Sequence, residues 1–231
     1  MLANWLVPRY RLKWPQMGWW DDSFFNEYLE QFAEERGLNA DRRFMLYQLS
    51  RLSIAVDGDT AECGAYLGAG SFLMALNNRE APSKRKHVIF DSFEGLSTPK
   101  KIDGAHWTEG DLSVSEAQMR ENLSEFESEI EVHKGWIPDS FRSVSERRYA
   151  FVHVDVDLYQ PTLDSIDYFY PRLSNNAILL CDDYGLKFCP GATAAMDEFF
   201  SDKPEKVLSL SGGAGFIVKG RPTATIVSQM P

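Results

Sequence analysis

Two acidic groups stand out, because each directly follows an apolar run with the pattern of a buried strand. They are the segments HVDVD (153–157) and CDD (181–183). In a right-handed strand, helix, strand unit both strand ends lie on the same edge of the sheet, so these carboxylates should converge. Carboxylates this close repel one another unless they are neutralised, and a Mg²⁺-type ion with oxygen ligands is the simplest neutraliser. The sequence therefore predicts a divalent-cation site at this edge.

The alternative is that these aspartates cap the helices that follow, since Asp is a common N-cap and favours the positive end of the helix dipole. Capping accounts for one or two of the acids. It does not account for four acids at two strand ends, so we favour metal binding.

A glycine-rich turn, ECGAYLGAGS (62–71), follows the first predicted strand and precedes a helix. Its glycines let the backbone approach a ligand closely. Asp91 lies 21 positions after Gly70, at the end of KHVIFD, where the acid of nucleotide-binding sheets holds ribose hydroxyls. The spacing is not GxGxxG and Glu62 would repel a phosphate, so the turn favours the cationic S-adenosylmethionine over a dinucleotide.

The elements that position these residues alternate between strand and helix. A helical pattern over 41–56 leads into the first strand. Helical patterns then separate the strand-like runs TAECGAYL, KHVIFDSF, IEVHKGWI, YAFVHVDV and AILLCDDY. This alternation predicts an α/β fold whose mostly parallel sheet has helices on both faces. The last runs, KVLSLS and GFIVKG, are joined through Gly212 and Gly213 and predict antiparallel strands that close the sheet.

Length and charge restrict the kind of protein. A chain of 231 residues suits one domain, at 39–231, preceded by a helical extension at 1–38. The net charge of −10 argues against nucleic acid, and the short apolar stretch before Arg9 argues against a signal peptide or membrane span. We expect a cytoplasmic protein with a small-molecule partner. Cys63, Cys181 and Cys189 form no CxxC pair and are interpreted as buried thiols.

The extension is rich in aromatic residues, including Trp5, Trp14, Trp19 and Trp20. So many exposed aromatics on a monomer would form an unusually large apolar patch. We therefore expect residues 1–38 to form a lid or a dimer contact in a homo-oligomer.

A histidine can act as a general base near neutral pH. His87 and His133 lie on strands away from the acids and are interpreted as structural. His153 shares a strand face with Asp155 and should support the site, whereas His106 lies in the polar loop 97–110, a candidate active-site loop.

Together, GDTAECGAYLGAGS, VIFDSFEGLSTP, HVDVDLYQPTLDSIDYFYPRL, ILLCDDYG and PGATAAMDEFF resemble the macrocin O-methyltransferase (TylF-type) family. The resemblance runs from about residue 42 to 219 and implies a class I methyltransferase (Rossmann-like) fold. This sequence differs from the family's usual pattern at Leu67, where an arginine is common, and in its tryptophan-rich N-terminus.

The resemblance implies a set of site residues. Those expected to bind S-adenosylmethionine are Glu62, Gly64, Tyr66, Gly68, Ser71, Asp91, Ser92, Phe93, Trp136 and Asp155. The family's metal ligands match Asp155, Asp182 and Asp183. Asp155 is nearer the strand end than Asp157, so we choose it as ligand and proton acceptor and leave Asp157 as the alternative.

The expected reaction is methylation of a hydroxyl oxygen on a saccharide, such as the sugar of a glycosylated natural product. The metal would lower the pKa of that hydroxyl. Two other hypotheses stay open: a nicotinamide-dependent oxidoreductase, and a non-catalytic partner protein that binds adenosylmethionine without turnover.

Overall fold

The computed structural model describes residues 18–34 and 39–224. The chain divides into two compact units, Met1–Ala40 and Asp41–Pro231. Within both described ranges, no helix is long and apolar enough to cross a membrane.

In the first unit, a 3₁₀ turn at Gly18–Asp21 precedes helix α1, Ser23–Gln31. Asp22 caps this helix by accepting a hydrogen bond from the Phe25 amide at 3.1 Å. The Phe25 ring stacks on Tyr28 with 5.5 Å between centroids. Trp5 and Trp14 lie outside the described residues, and the role of 1–38 as a lid or dimer contact stays a prediction.

The second unit is built on a sheet of seven strands within residues 39–224. The strands are β1 Asp59–Cys63, β2 His87–Asp91, β3 Ile130–Lys134, β4 Tyr149–Val154, β5 Leu173–Cys181, β6 Leu208–Ser209 and β7 Gly215–Val218. Their order is β3-β2-β1-β4-β5-β7-β6, with parallel pairing from β3 to β5 and antiparallel pairing of β7 with both neighbours. The predicted mostly parallel sheet with antiparallel C-terminal strands is confirmed.

The helices of this unit cover both faces of the sheet. They are α2 Ala40–Leu52, α3 Ala69–Asn78, α4 Glu116–Asn122, α5 Tyr159–Phe169 and α6 Pro190–Phe199. All six residues of β4 are buried, as expected of a central parallel strand. Alternate β4 residues enter different cores: Val152 packs in the core that contains residues of α5 and α6, and Phe151 in the core that contains residues of α2 and α3.

The register of the central strands brings the two predicted sites together. Strand β1 lies between β2 and β4, so the order of strands reverses there and leaves a crevice at their carboxyl ends. The Asp155 amide donates to Cys63 O at 2.9 Å, and the Asp182 amide donates to Val154 O at 2.9 Å. The glycine turn and both acidic groups therefore start at the same level of one edge.

Gly64 is the point at which these two parts touch. It has φ +80°, and a Cβ placed on it would overlap the backbone carbonyl of Asp155. Only glycine fits here, because a side chain would be strained by the dihedral angle and would also push the glycine turn away from β4.

We predict that Gly64→Ala destabilises the fold by about 3 kcal/mol, the sum of left-handed backbone strain and overpacking. Gly110→Ala is the matched control, because Gly110 has φ +83° and nothing within 4 Å of an added Cβ. It should cost about 1 kcal/mol. Urea unfolding of both variants measures the difference, and equal losses would mean that the contact with Asp155 contributes nothing.

Candidate active site

The glycine turn is fastened to the end of β2 by the carboxylate of Asp91. Its Oδ2 atom accepts hydrogen bonds from the amides of Ala65 (2.8 Å) and Tyr66 (3.0 Å), and its Oδ1 atom accepts one from Phe93 (2.7 Å). A carboxylate has about four acceptor sites, so Asp91 can bind a ligand hydroxyl as well. The structure thus joins the two segments predicted to hold the cofactor.

The other predicted cofactor residues near these loops differ in exposure. Tyr66, with φ +49°, and Trp136, which follows β3, have exposed side chains. Phe93 is buried and lies 6.0 Å beneath the ammonium group of Lys134. Ser92 is buried, and its hydroxyl donates to Gly95 O at 3.1 Å. The exposed rings are therefore the ones available to stack on a ligand.

Glu62 and Ser71 occupy a position beneath the turn. Glu62 is 1% exposed, and Ser71 donates to its Oε2 atom. A Cβ on Gly70 would collide with Glu62 Oε1, so this glycine makes room for the carboxylate under α3. Glu62 and Ser71 thus connect the glycine turn to a buried network, and their predicted direct role in cofactor binding stays a prediction.

His87 forms one arm of this network and is neutral. Asn78 donates to Thr60 Oγ1 (2.7 Å), and Thr60 Oγ1 lies 2.9 Å from His87 Nδ1. On the other side, His87 Nε2 lies 3.0 Å from the Ser71 hydroxyl, whose proton goes to Glu62. This order of donors assigns the proton to Nε2 and leaves Nδ1 as an acceptor. Burial lowers the pKa of His87 to about 4, in agreement with a neutral ring.

His153 forms the other arm and is charged. Its Nδ1 atom lies 2.8 Å from Glu62 Oε1, and its Nε2 atom lies 3.5 Å from Asp182 Oδ1. Burial by itself lowers the pKa of His153, but the carboxylates of Asp182 and Glu62 outweigh it and raise the pKa to about 10. His153 is therefore a cationic support between two carboxylates.

Two arginines from α2 reach the acidic groups. Arg42 Nη1 donates to Asp182 Oδ2 at 2.5 Å and to Asp182 O at 3.0 Å. Arg43 Nη1 donates to Asp155 Oδ2 at 3.3 Å. Burial raises the pKa of Asp182, but Arg42 outweighs it and holds the pKa well below its usual range.

Asp157 and Asp183 form a second, deeper pair. Asp183 Oδ2 accepts from the Asp157 amide at 2.8 Å, and the Cys189 thiol lies 3.4 Å from Asp157 Oδ1. Burial and the charge of Asp155 raise the pKa of Asp157 to about 7. Burial and the charge of Asp157 raise the pKa of Asp183 well above its usual value. Trp107 from the predicted loop donates to the Cys189 sulfur at 3.3 Å, which ties this loop to α6.

The charges of the whole cluster do not balance within the described residues. Five carboxylates, those of Glu62, Asp155, Asp157, Asp182 and Asp183, face three cationic groups, those of Arg42, Arg43 and His153. The surplus is two negative charges, which two protons or one divalent cation would neutralise.

The donor set fits a divalent ion. Atoms of Asp155, Asp182 and His153 lie within 4.8 Å of one another, and Asp182 Oδ1 has no hydrogen-bond partner among the described residues. Asp155 and Asp182 offer oxygen ligands, and hard oxygen donors suit Mg²⁺, Mn²⁺ or Ca²⁺. Asp183 belongs instead to a second set of possible ligands, in which its carboxylate lies within 4.8 Å of Asp157 and Cys189. The assignment of three ligands stays a prediction.

Sequence reasoning missed Arg42 and Arg43, which were assigned only to a helix. Nothing in their spacing connects them with Asp182, 140 positions away for Arg42. It also treated His87 as distant from the site, whereas Ser71 links it to Glu62. Two adjacent arginines on the helix that precedes the first strand were the one sequence feature that could have indicated ion pairs with the acids.

The fold is that of the class I methyltransferases. Solved structures of the O-methyltransferase NovP (TM-score 0.68, 23% identity, 79% of this chain and 81% of that chain) and of the calicheamicin methyltransferase CalS11 (TM-score 0.71, 18% identity, 91% and 95%) share it. A sequence profile of the macrocin-O-methyltransferase (TylF) family matches residues 49–206. The chain belongs to this family, and the resemblance drawn from its motifs is confirmed.

Two relatives are named as O-methyltransferases. A tetracenomycin-C rhamnosyl 4'-O-methyltransferase of Streptomyces olivaceus is 29% identical over 61% of this chain and 58% of its own length. A mycinamicin III 3''-O-methyltransferase of Micromonospora griseorubida is 29% identical over 61% of this chain and 60% of its own length. The chain thus spans less than two thirds of either relative.

The buried neutral His87 predicts a pH dependence of stability. Its folded pKa of about 4 is below the ordinary 6.5, so unfolding takes up a proton below about pH 6.5. This contribution is complete above pH 6.5 and is lost as the pH falls toward 4. Between pH 8 and pH 5 it amounts to about 2 kcal/mol.

Urea unfolding of the wild type and of His87→Gln at both pH values isolates this contribution. The wild type should lose about 2 kcal/mol more than the variant on going to pH 5. Parallel losses in the two proteins would show that His87 is not held neutral.

Proposed function

We propose that this protein transfers a methyl group from S-adenosylmethionine to a hydroxyl oxygen of a saccharide, on a sugar or a glycosylated natural product. Family membership and the relatives' named activities support this proposal. The observation that carries it is the contact of Gly64 with Asp155, which sets the cofactor turn beside the acidic cluster. A methyl donor over the turn would face an acceptor held at the acids.

Adenosylmethionine supplies the electrophilic methyl group on a sulfonium centre. On this protein, Asp91 is suited to the ribose hydroxyls, because its carboxylate faces the turn and retains acceptor capacity. Tyr66 and Trp136 offer exposed rings to the adenine at the ends of β1 and β3. The net negative charge beside the turn attracts a cation, and positioning of the two reactants supplies much of the rate.

Asp155 is the best proton acceptor for the attacking hydroxyl. Its side chain is 20% exposed, whereas those of Asp182 and Asp183 are 1% and 3% exposed. An acceptor entering the crevice therefore meets Asp155 first. Asp157 is buried against Cys189, which favours Asp155 of the two alternatives.

We also propose divalent-metal dependence. Asp155 and Asp182 would hold the ion, with Asp183 as the third carboxylate. A bound divalent ion lowers the pKa of an attached hydroxyl. His153 and Arg42 keep Asp182 ionised, which keeps this ligand ready at neutral pH.

The proposal is tested by mass spectrometry of ligand that co-purifies with the protein, followed by a methyl-transfer screen on sugar acceptors with and without Mg²⁺. Recovered adenosylmethionine or its demethylated product and a methylated sugar would support it. Cofactor binding without turnover across a broad panel would favour the non-catalytic hypothesis, and tight dinucleotide binding would favour the oxidoreductase.

Asp91→Asn should weaken adenosylmethionine binding roughly 10- to 100-fold, because it removes a charge-assisted hydrogen bond that contributes about 1.5–3 kcal/mol. Calorimetric titration gives the dissociation constant. Asp111→Asn is the control, since Asp111 accepts a single loop amide, that of Thr108, at 2.8 Å. An unchanged constant in a folded Asp91 variant would remove this residue from the site.

EDTA should suppress methyl transfer and Mg²⁺ restore it. Asp155→Asn should lower kcat at least 100-fold, since the amide keeps the shape and loses the basicity. Asp167→Asn, an exposed acid on α5, is the control. Full activity in EDTA would reject metal dependence, and a silent Asp155→Asn with an inactive Asp157→Asn would move the base to Asp157.

A further inference from the structure

Arg43 places one nitrogen between two of the carboxylates. Its Nη1 atom lies 3.3 Å from Asp155 Oδ2 and 3.9 Å from Asp182 Oδ2. Its side chain is only 11% exposed, so the charge is largely removed from water and its pairing with the carboxylates is little screened. A guanidinium nitrogen thus occupies the bridging position that a shared divalent cation would need.

Arg42 pairs with Asp182 more closely than Arg43 does. It holds both the side chain and the backbone carbonyl of Asp182. Gly213 of the β6–β7 hairpin lies beside it, since a Cβ there would be 3.4 Å from Arg42 Cδ. Arg42 is thus built into the wall of the site, whereas Arg43 lies on the side where Asp155 is partly exposed.

The two cations would pair with the same two carboxylate groups, those of Asp155 and Asp182. A Mg²⁺ ion binds carboxylate oxygens at about 2.0–2.1 Å, and a like charge a few ångströms away opposes it. An ion held by Asp155 and Asp182 would lie close to the Arg43 guanidinium and be repelled by it. Binding of the ion therefore favours the departure of Arg43 from Asp155.

We propose that Arg43 is a positioning residue that acts as an internal counter-ion: it holds Asp155 and Asp182 together without metal and is displaced when a divalent cation binds. This inference depends on the proposed metal dependence. It implies that the native protein binds metal more weakly than its carboxylates alone would allow.

The test is Mn²⁺ binding to the full chain, measured at pH 7.5 from the electron paramagnetic resonance signal of free Mn²⁺. Arg43→Gln, which removes the charge, should bind Mn²⁺ at least tenfold more tightly than the wild type. Arg43→Lys keeps a positive charge and should stay close to the wild type. Arg51→Gln, on the exposed end of the same helix, is the matched control and should leave binding unchanged.

Weaker Mn²⁺ binding by Arg43→Gln would overturn the proposal, because it would show that Arg43 helps to hold the metal ligands in place. Unchanged binding would overturn it too, because it would show that Arg43 does not compete with the ion. Absence of binding in every variant would overturn it together with the metal requirement, while methyl transfer in EDTA would still decide the methyltransferase activity separately. Tighter binding in Arg43→Gln with no turnover would support the counter-ion and count against the proposed function.

A second measurement applies if Arg43→Gln does not fold. In ¹⁵N-labelled wild type, the arginine Nε–H signal that is missing from Arg43→Lys should shift on addition of Mg²⁺. A signal that stays in place at saturating Mg²⁺ would overturn the proposal.

Discussion

The buried ion pair between Glu62 and His153 connects every part of this site. Glu62 is the last but one residue of β1, and His153 occupies the equivalent level of β4, so the pair spans the two central strands at the switch point of the sheet. An isolated buried carboxylate is destabilised by several kcal/mol, and the pair is tolerable because Glu62 accepts a further hydrogen bond and His153 faces a second carboxylate. Ser71 satisfies Glu62 from α3, and Asp182 faces the far side of His153.

The same carboxylate gives its two histidine neighbours different protonation states. His87 reaches Glu62 only through a serine hydroxyl, and its burial leaves it neutral, whereas His153 has a carboxylate on each side and is charged. Gly70 permits this arrangement, because any side chain there would displace Glu62. Gly70 on α3 thereby allows Glu62 to pair with His153 on β4, and the charge of His153 helps to keep Asp182 ionised beside the crevice.

The surplus of negative charge at the ends of β4 and β5 is the property most directly connected with function. Arginines balance part of it, and protons on the deep pair, Asp157 and Asp183, or a divalent cation would balance the rest. The cofactor side of the crevice, built from the ends of β1 to β3, instead offers exposed rings and the Asp91 carboxylate. In the proposed function, donor binding and acceptor activation would lie on opposite sides of the line between β1 and β4.

The sequence by itself determined the alternation of strands and helices, the antiparallel closure, the glycine turn and the convergence of the acids, because periodicity and strand-end position are local properties and parallel strands end at one edge. Only the tertiary structure decided which groups neutralise these acids. Arg42 lies 140 residues from Asp182 in the chain, and no spacing rule pairs residues so far apart. The protonation states of His87 and His153 were equally out of reach, since a pKa depends on burial and on neighbours from three or more elements. Asp182 and Asp183 are adjacent in sequence, yet Arg42 donates hydrogen bonds to Asp182 and the Asp157 amide donates one to Asp183, a difference that no local pattern predicts.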